Sequence, residues 1–219
     1  KWRKRGNKRM PSGRAMANNA TSLEKLGDKL FPHRGIIWGV LGLVIFVFAH
    51  PHYPLFSWGI ALICLGEGLR IWGTGYIKNY RGSMQEVEKL TAAGPYAYLR
   101  NPLYVANGII GTGIAIISGL WWSIILFWFT FYLLYFPIIR AEENFLEKKF
   151  GATYRNYIQE VPRFFPRFSP YPERNGMFSW RVIGEKEIIT LLTLGVVILL
   201  FYLRGFGFLK ILNRLFLGF

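Results

Sequence analysis

Cysteine and histidine are scarce in this 219-residue chain, which carries a single cysteine, Cys64, and three histidines. One thiol excludes an intrachain disulfide and a thiolate metal cluster, and leaves the redox compartment open. His50 and His52 share a turn that has no third ligand nearby in sequence, so they read as interfacial histidines and no metal is expected. Acidic residues are also scarce, 12 Asp and Glu against 27 Lys and Arg. No internal repeat or low-complexity tract stands out. A cleavable signal peptide is not expected either, because an extended basic region precedes the first apolar run and no small-residue cleavage site follows it.

Apolar sequence is abundant: 52% of residues are hydrophobic and 18% aromatic, above the usual content of a soluble domain of this length. The excess is concentrated in runs over 35–49, 55–77, 103–118, 120–139 and 188–203. Most approach the ~20 residues needed to cross a bilayer, the first and last being short. The expectation is an all-α, multi-pass integral membrane protein with about five transmembrane helices. Trp58, Trp121 and Trp122 fall at predicted helix ends, where indole rings anchor at the headgroup boundary. Gly108, Gly111 and Gly113 follow no strand, so they read as close helix–helix contacts rather than a nucleotide-binding turn.

A net charge of +15 would suit nucleic acid, but its placement favours a membrane and no nucleic acid is expected. Ten Lys and Arg precede residue 35, four lie in 78–100 and nine in 140–186, whereas the turns 50–54 and 118–121 have none. That asymmetry places the N-terminus and both basic segments in the cytoplasm. Arg204, Lys210 and Arg214 run against the rule. The cluster from Lys1 to Arg14 is expected on anionic headgroups. The chain thus divides into a basic cytoplasmic segment (1–34), two transmembrane helices (35–77), a core with a helical hairpin and cytoplasmic cap (78–186), and a last transmembrane helix with its tail (187–219). Within the cap, 141–158 reads as an interfacial amphipathic helix that Gly151 can break, and the Pro- and Phe-rich stretch 161–172 as an ordered strap.

Two clusters can carry chemistry. Glu67 and Arg70 stand one helical turn apart inside an apolar run, where an ionisable group costs at least ~2.5 kcal/mol, so they form either a mutually satisfied pair or the wall of a polar cavity. The segment 94–104 and the pair Glu142–Glu143 flank apolar residues long enough for two crossings, and a hairpin returns them to one membrane face. There a carboxylate can hold an ammonium and Arg100 a carboxylate, which suits the two ends of an amino-acid moiety. Adjacent glutamates on a helix point about 100° apart, so they are expected to be unequal.

Gly94-Pro95-Tyr96, Arg100-Asn101-Pro102-Leu103-Tyr104, Glu142-Glu143, Phe150-Gly151, Tyr154, Tyr157 and Val161-Pro162-Arg163, with Leu69-Arg70-Ile71-Trp72 upstream, resemble the isoprenylcysteine carboxyl methyltransferase and phospholipid methyltransferase superfamily. The resemblance implies S-adenosylmethionine as cofactor, bound by Tyr96, Arg100, Asn101, Pro102, Leu103, Tyr104, Glu142 and Glu143 in a cytoplasmic pocket of loops, amphipathic helix and strap. It also implies a lipophilic acceptor, an isoprenylcysteine-like carboxylate or a lipid, entering from the bilayer, with Arg70 and Glu67 as catalytic candidates. Asn101 stands where that family usually has His; it keeps a hydrogen-bond donor and cannot titrate near neutrality. A sterol-reductase-like oxidoreductase using NADPH and a non-enzymatic membrane scaffold are the competing readings. The acceptor and the oligomeric state are not legible.

Overall fold

The computed structural model describes residues 22–77 and 89–207, and among them every regular element is helical. The order is α1 (Ser22–Leu30), α2 (Arg34–Phe48), α3 (Leu55–Thr74), α4 (Pro102–Ile117), α5 (Trp121–Phe150), α6 (Ala152–Glu160), α7 (Trp180–Lys186) and α8 (Ile188–Phe206). The basic cluster before residue 22 and the tail cations Lys210 and Arg214 lie outside the described residues.

Four helical stretches are long and apolar enough to cross a bilayer: Lys25–Phe48, Leu55–Thr74, Trp121–Phe150 and Ile188–Phe206. This is an integral membrane architecture. The expected fifth crossing is α4, whose 16 residues span about 24 Å, short of a ~30 Å hydrocarbon core. It runs between the same two ends of the bundle as α3, enclosed by its neighbours. Gly59, Gly66 and Gly73 of α3 face Gly113 and Ile117, Ala106 and Ile110, and Leu103 of α4, so the two helices run antiparallel. Their backbones approach closely: a Cβ on Gly66 would lie 2.9 Å from the Ala106 carbonyl oxygen. On the other side of α4, Gly108 and Gly111 receive the rings of Trp128 and Phe127 of α5. The small residues therefore set interhelical distances, as bilayer packing favours.

The hairpin α4–α5 turns at Gly119, whose φ of +73° suits glycine. Here His50 donates its amide to the Ser118 carbonyl at 2.7 Å, and the His52 Nδ1 lies 3.0 Å from the His50 carbonyl oxygen. The two histidines thus build a turn. Arg204 joins this end from α8, donating to the carbonyls of Ala49 (2.8 Å) and Val47 (2.5 Å) at the C-terminus of α2. A helix C-terminus favours a cation, which gives Arg204 a structural role where the charge rule made it an exception.

At the opposite end, α5 continues without a break from the apolar run to Phe150, and Gly151 (φ +55°) starts α6. The expected separate amphipathic helix over 141–158 is thus corrected: its first half is the end of α5, because neither Arg140 nor Glu142–Glu143 interrupts the helical hydrogen bonding. The strap behaves as expected. Tyr98 and Ala97 accept amide hydrogen bonds from Arg167 (3.0 Å) and Tyr171 (2.9 Å), and Pro162 accepts one from Arg100 (2.9 Å). Ala92, Ala97, Tyr154, Tyr157, Val161 and Tyr171 form a small apolar core beneath it. Helix α1, in the expected basic N-terminal segment, packs on α5 where Gly27 meets the Pro137 carbonyl.

Candidate functional site

The hairpin brings the turn before α4 against the last turns of α5. Asn101 precedes Pro102, the first residue of α4, and its backbone lies outside the helical region, so its amide side chain is free to cross to α5. It donates to Glu143 Oε1 at 3.2 Å. Glu143, 8% exposed, also accepts from Arg163 of the strap, Nε to Oε1 at 3.0 Å and Nη2 to Oε2, and pairs with Arg100 Nη1 at 3.4 Å. One carboxylate thus ties turn, helix and strap together. Charge-assisted bonds of this kind are the strong ones.

Glu142 faces elsewhere, as adjacent helical positions must. It accepts a hydrogen bond from the Tyr104 hydroxyl and stands in the field of Arg34 from α2. The Tyr104 ring meets Tyr135 edge to face at 5.0 Å, and Trp38 Nε1 donates to the Tyr135 hydroxyl at 3.0 Å. Arg34 also donates to the Phe31 carbonyl at 2.5 Å and covers the Phe31 ring.

Other predicted residues serve as backing. Pro102 is fully buried at the start of α4, and Leu103 fills the space left by Gly73. Tyr96 is buried, and its carbonyl accepts from the Tyr157 hydroxyl at 2.7 Å. Arg100 donates to the Tyr154 hydroxyl as well. Burial raises the Tyr154 and Tyr157 hydroxyls above the ordinary phenol range, so both stay protonated at neutral pH.

Arg70 and Glu67 are not a mutually satisfied pair. Arg70 forks onto Glu187 (Nε to Oε2, 2.9 Å; Nη2 to Oε1, 3.4 Å) and donates to Asn107 Oδ1 at 2.7 Å. Thr74 donates to Glu187 Oε1 at 3.0 Å, and Glu187 is fully buried. Removed in sequence by 117 residues, Glu187 takes Arg70 away from Glu67. Glu67 instead lines a cavity of about 460 Å³. Arg34, Trp38, Tyr135 and Asn107 line it too, so the cavity begins where the Glu142 cluster ends.

Sequence reasoning assigned no role to Arg163, Glu187, Asn107 or Arg34. A signal existed for Glu187: Arg70 is a cation inside an apolar run, and such a cation requires an anion from another segment. Among the described residues no group of three His, Cys, Asp or Glu could hold a metal ion.

Residues 55–153, from α3 into α6, match the phospholipid methyltransferase family. The chain is 31% identical over 169 residues to the cobalt-zinc-cadmium resistance protein CzcN of Cupriavidus metallidurans, covering 72% of this chain and 73% of that one. It is 30% identical over 156 residues to the nickel-cobalt-cadmium resistance protein NccN of Alcaligenes xylosoxydans xylosoxydans, covering 66% and 70%. To the protein-S-isoprenylcysteine O-methyltransferase of Schizosaccharomyces pombe it is 29% identical over 112 residues, 49% of this chain and 48% of that one. The chain belongs to the isoprenylcysteine carboxyl methyltransferase and phospholipid methyltransferase superfamily of integral membrane methyltransferases.

Proposed function

We propose that the chain transfers a methyl group from S-adenosylmethionine to a lipophilic acceptor, an isoprenylcysteine-like carboxylate or a lipid, at the cytoplasmic face of its membrane. The observation that carries this reading is the end of the α4–α5 hairpin, where Arg100 and Asn101 meet Glu143, Tyr104 meets the adjacent Glu142, and the Tyr104 ring packs on Tyr135 of the cavity wall.

The residues fit the donor's amino-acid end. Arg100 Nε is buried without an acceptor, a donor group that a carboxylate would satisfy. For the ammonium, the two glutamates differ. Both Glu143 oxygens are engaged by guanidiniums, and its work is to hold the turn, α5 and the strap together. Glu142, held by the neutral Tyr104 hydroxyl, is assigned the ammonium. Tyr96, Pro102 and Leu103 shape the backing of that site from the buried side. S-adenosylmethionine supplies a methyl group on a sulfonium that departs as a neutral thioether. This chain's residues therefore need chiefly to bind, align and exclude water. Glu67 and Arg70 in the cavity are assigned to the acceptor, Arg70 held rigid by Glu187 and Asn107.

Thermal melting of the purified protein with each cofactor tests this. S-adenosylmethionine at about 100 times its dissociation constant should add ~2.7 kcal/mol. Protection by NADPH in its place would favour the oxidoreductase, and protection by neither the scaffold.

A further inference from the structure

We infer that the cavity takes an amphiphile with an amine head, held as its ammonium by the Glu67 carboxylate; calling this molecule the acceptor rests on the methyltransferase reading above, and as acceptor its ammonium first gives a proton to Glu67, freeing the nitrogen lone pair that takes the methyl group. Both Glu67 oxygens are buried without a hydrogen-bond partner, and the residue is 7% exposed. A carboxylate in that state is costly, and the cost is relieved by an ion of opposite charge.

The charges around it leave Glu67 unmatched. Arg70, one turn along α3, lends Glu67 a favourable field but spends its fork on Glu187 and Nη1 on Asn107. Arg34, from α2, lies in the field of Glu142 and donates to the Phe31 carbonyl. The remaining polar lining comprises Asn107, Tyr135, Thr190 and Thr193, all neutral. A carboxylate head entering here would meet an anion while the nearest guanidinium is already held by another carboxylate. An ammonium would neutralise Glu67, and the rings of Trp38, Phe127 and Phe131 in the same wall favour a cation further.

The experiment uses the full chain in zwitterionic nanodiscs, with dodecylamine, dodecanoate and dodecanol as probes of equal tail and different head. Apparent affinities are read from thermal melting of the parent and of Glu67→Gln and Glu67→Asp. The parent should prefer dodecylamine, protonated at neutral pH, over dodecanoate by about tenfold or more, the preference expected of one desolvated charge pair. Glu67→Gln should abolish this preference and Glu67→Asp, which keeps the charge, should retain it; comparing variants in identical discs removes differences in partitioning. Equal binding of the three probes, a preference for dodecanoate, or a Glu67→Gln variant that still prefers the amine would each overturn the inference. S-adenosylmethionine titrated into the same samples separates the two readings. Donor binding without amine preference sinks this inference alone, and amine preference without donor binding sinks the methyltransferase assignment alone.

Discussion

Glu143 is the residue on which three segments converge, and its replacement measures what that convergence contributes. In Glu143→Gln the guanidiniums of Arg100 and Arg163 lose their anion, and breaking a buried pair from one side costs about 3 kcal/mol or more. Thermal melting should show that loss, whereas Glu142→Gln should melt near the parent because its hydrogen bond comes from a neutral hydroxyl. Equal melting temperatures for the two variants would contradict the division of labour. The Asn101 amide donates to Glu143 at 3.2 Å and, at the longer distance of 3.5 Å, to the Arg163 carbonyl, so Asn101→Ala should cost only about 1–2 kcal/mol. The meeting of Asn101 with Glu143 was legible in sequence, because both residues sit at the ends of one apolar hairpin. The partner of Arg70 was not. Glu187 lies 117 residues away, and a charge at the end of an apolar run is ordinarily solvated, so only the fold reveals this one as buried.

Among the elements, α4 is the one whose environment the sequence least disclosed. Its 16 residues read as a crossing by composition, yet it is α3 and α5 that enclose it, through glycines whose partners no spacing rule names. Gly66→Ala places a Cβ 2.7 Å from Ile110 and 2.9 Å from the Ala106 carbonyl oxygen, and such overpacking should cost about 1–3 kcal/mol. Gly68→Ala, on the same helix with nothing within 4 Å, should instead stabilise by up to about 1 kcal/mol through helix propensity. Opposite shifts in melting temperature support the antiparallel α3–α4 seam, and shifts of the same sign count against it. The break at Gly151 and the place of Glu142–Glu143 at the inner end of the α5 crossing were readable, but the run of α5 beyond them to Phe150 was not, because a change from apolar to polar sequence marks the bilayer's edge and not the helix's end. The buried tyrosines of α6 add a pH dependence. Burial raises the Tyr154 and Tyr157 hydroxyls, so the stability they contribute is fully present below the ordinary phenol value of about 10 and is lost as pH rises above it. Melting followed from pH 8 upward should decline more gently in Tyr157→Phe than in the parent, since the variant has one such hydroxyl fewer.

At the level of the whole molecule, the bundle has two unlike ends. The turns at 50–54 and 118–120 meet Arg204 at one, while the turn before α4, the last turns of α5 and the strap meet at the other. We propose, from the distribution of Lys and Arg, that the second end faces the cytoplasm. In a background lacking Cys64, single cysteines at the exposed positions Tyr53 and Asn175 should label from opposite sides of a sealed vesicle, Asn175 from the cytoplasmic side. Labelling of both from one side would remove the orientation. The central claim is that the hairpin end binds S-adenosylmethionine with Glu142 on its ammonium, and calorimetric titration of the donor into the parent and Glu142→Gln tests it most directly. A parent that binds, with affinity at least about 30-fold lower in a well-folded Glu142→Gln, as expected for losing one partner of a partly buried charge pair, is the predicted result; a folded parent that gives no binding heat, or a Glu142→Gln variant that binds like the parent, would contradict it.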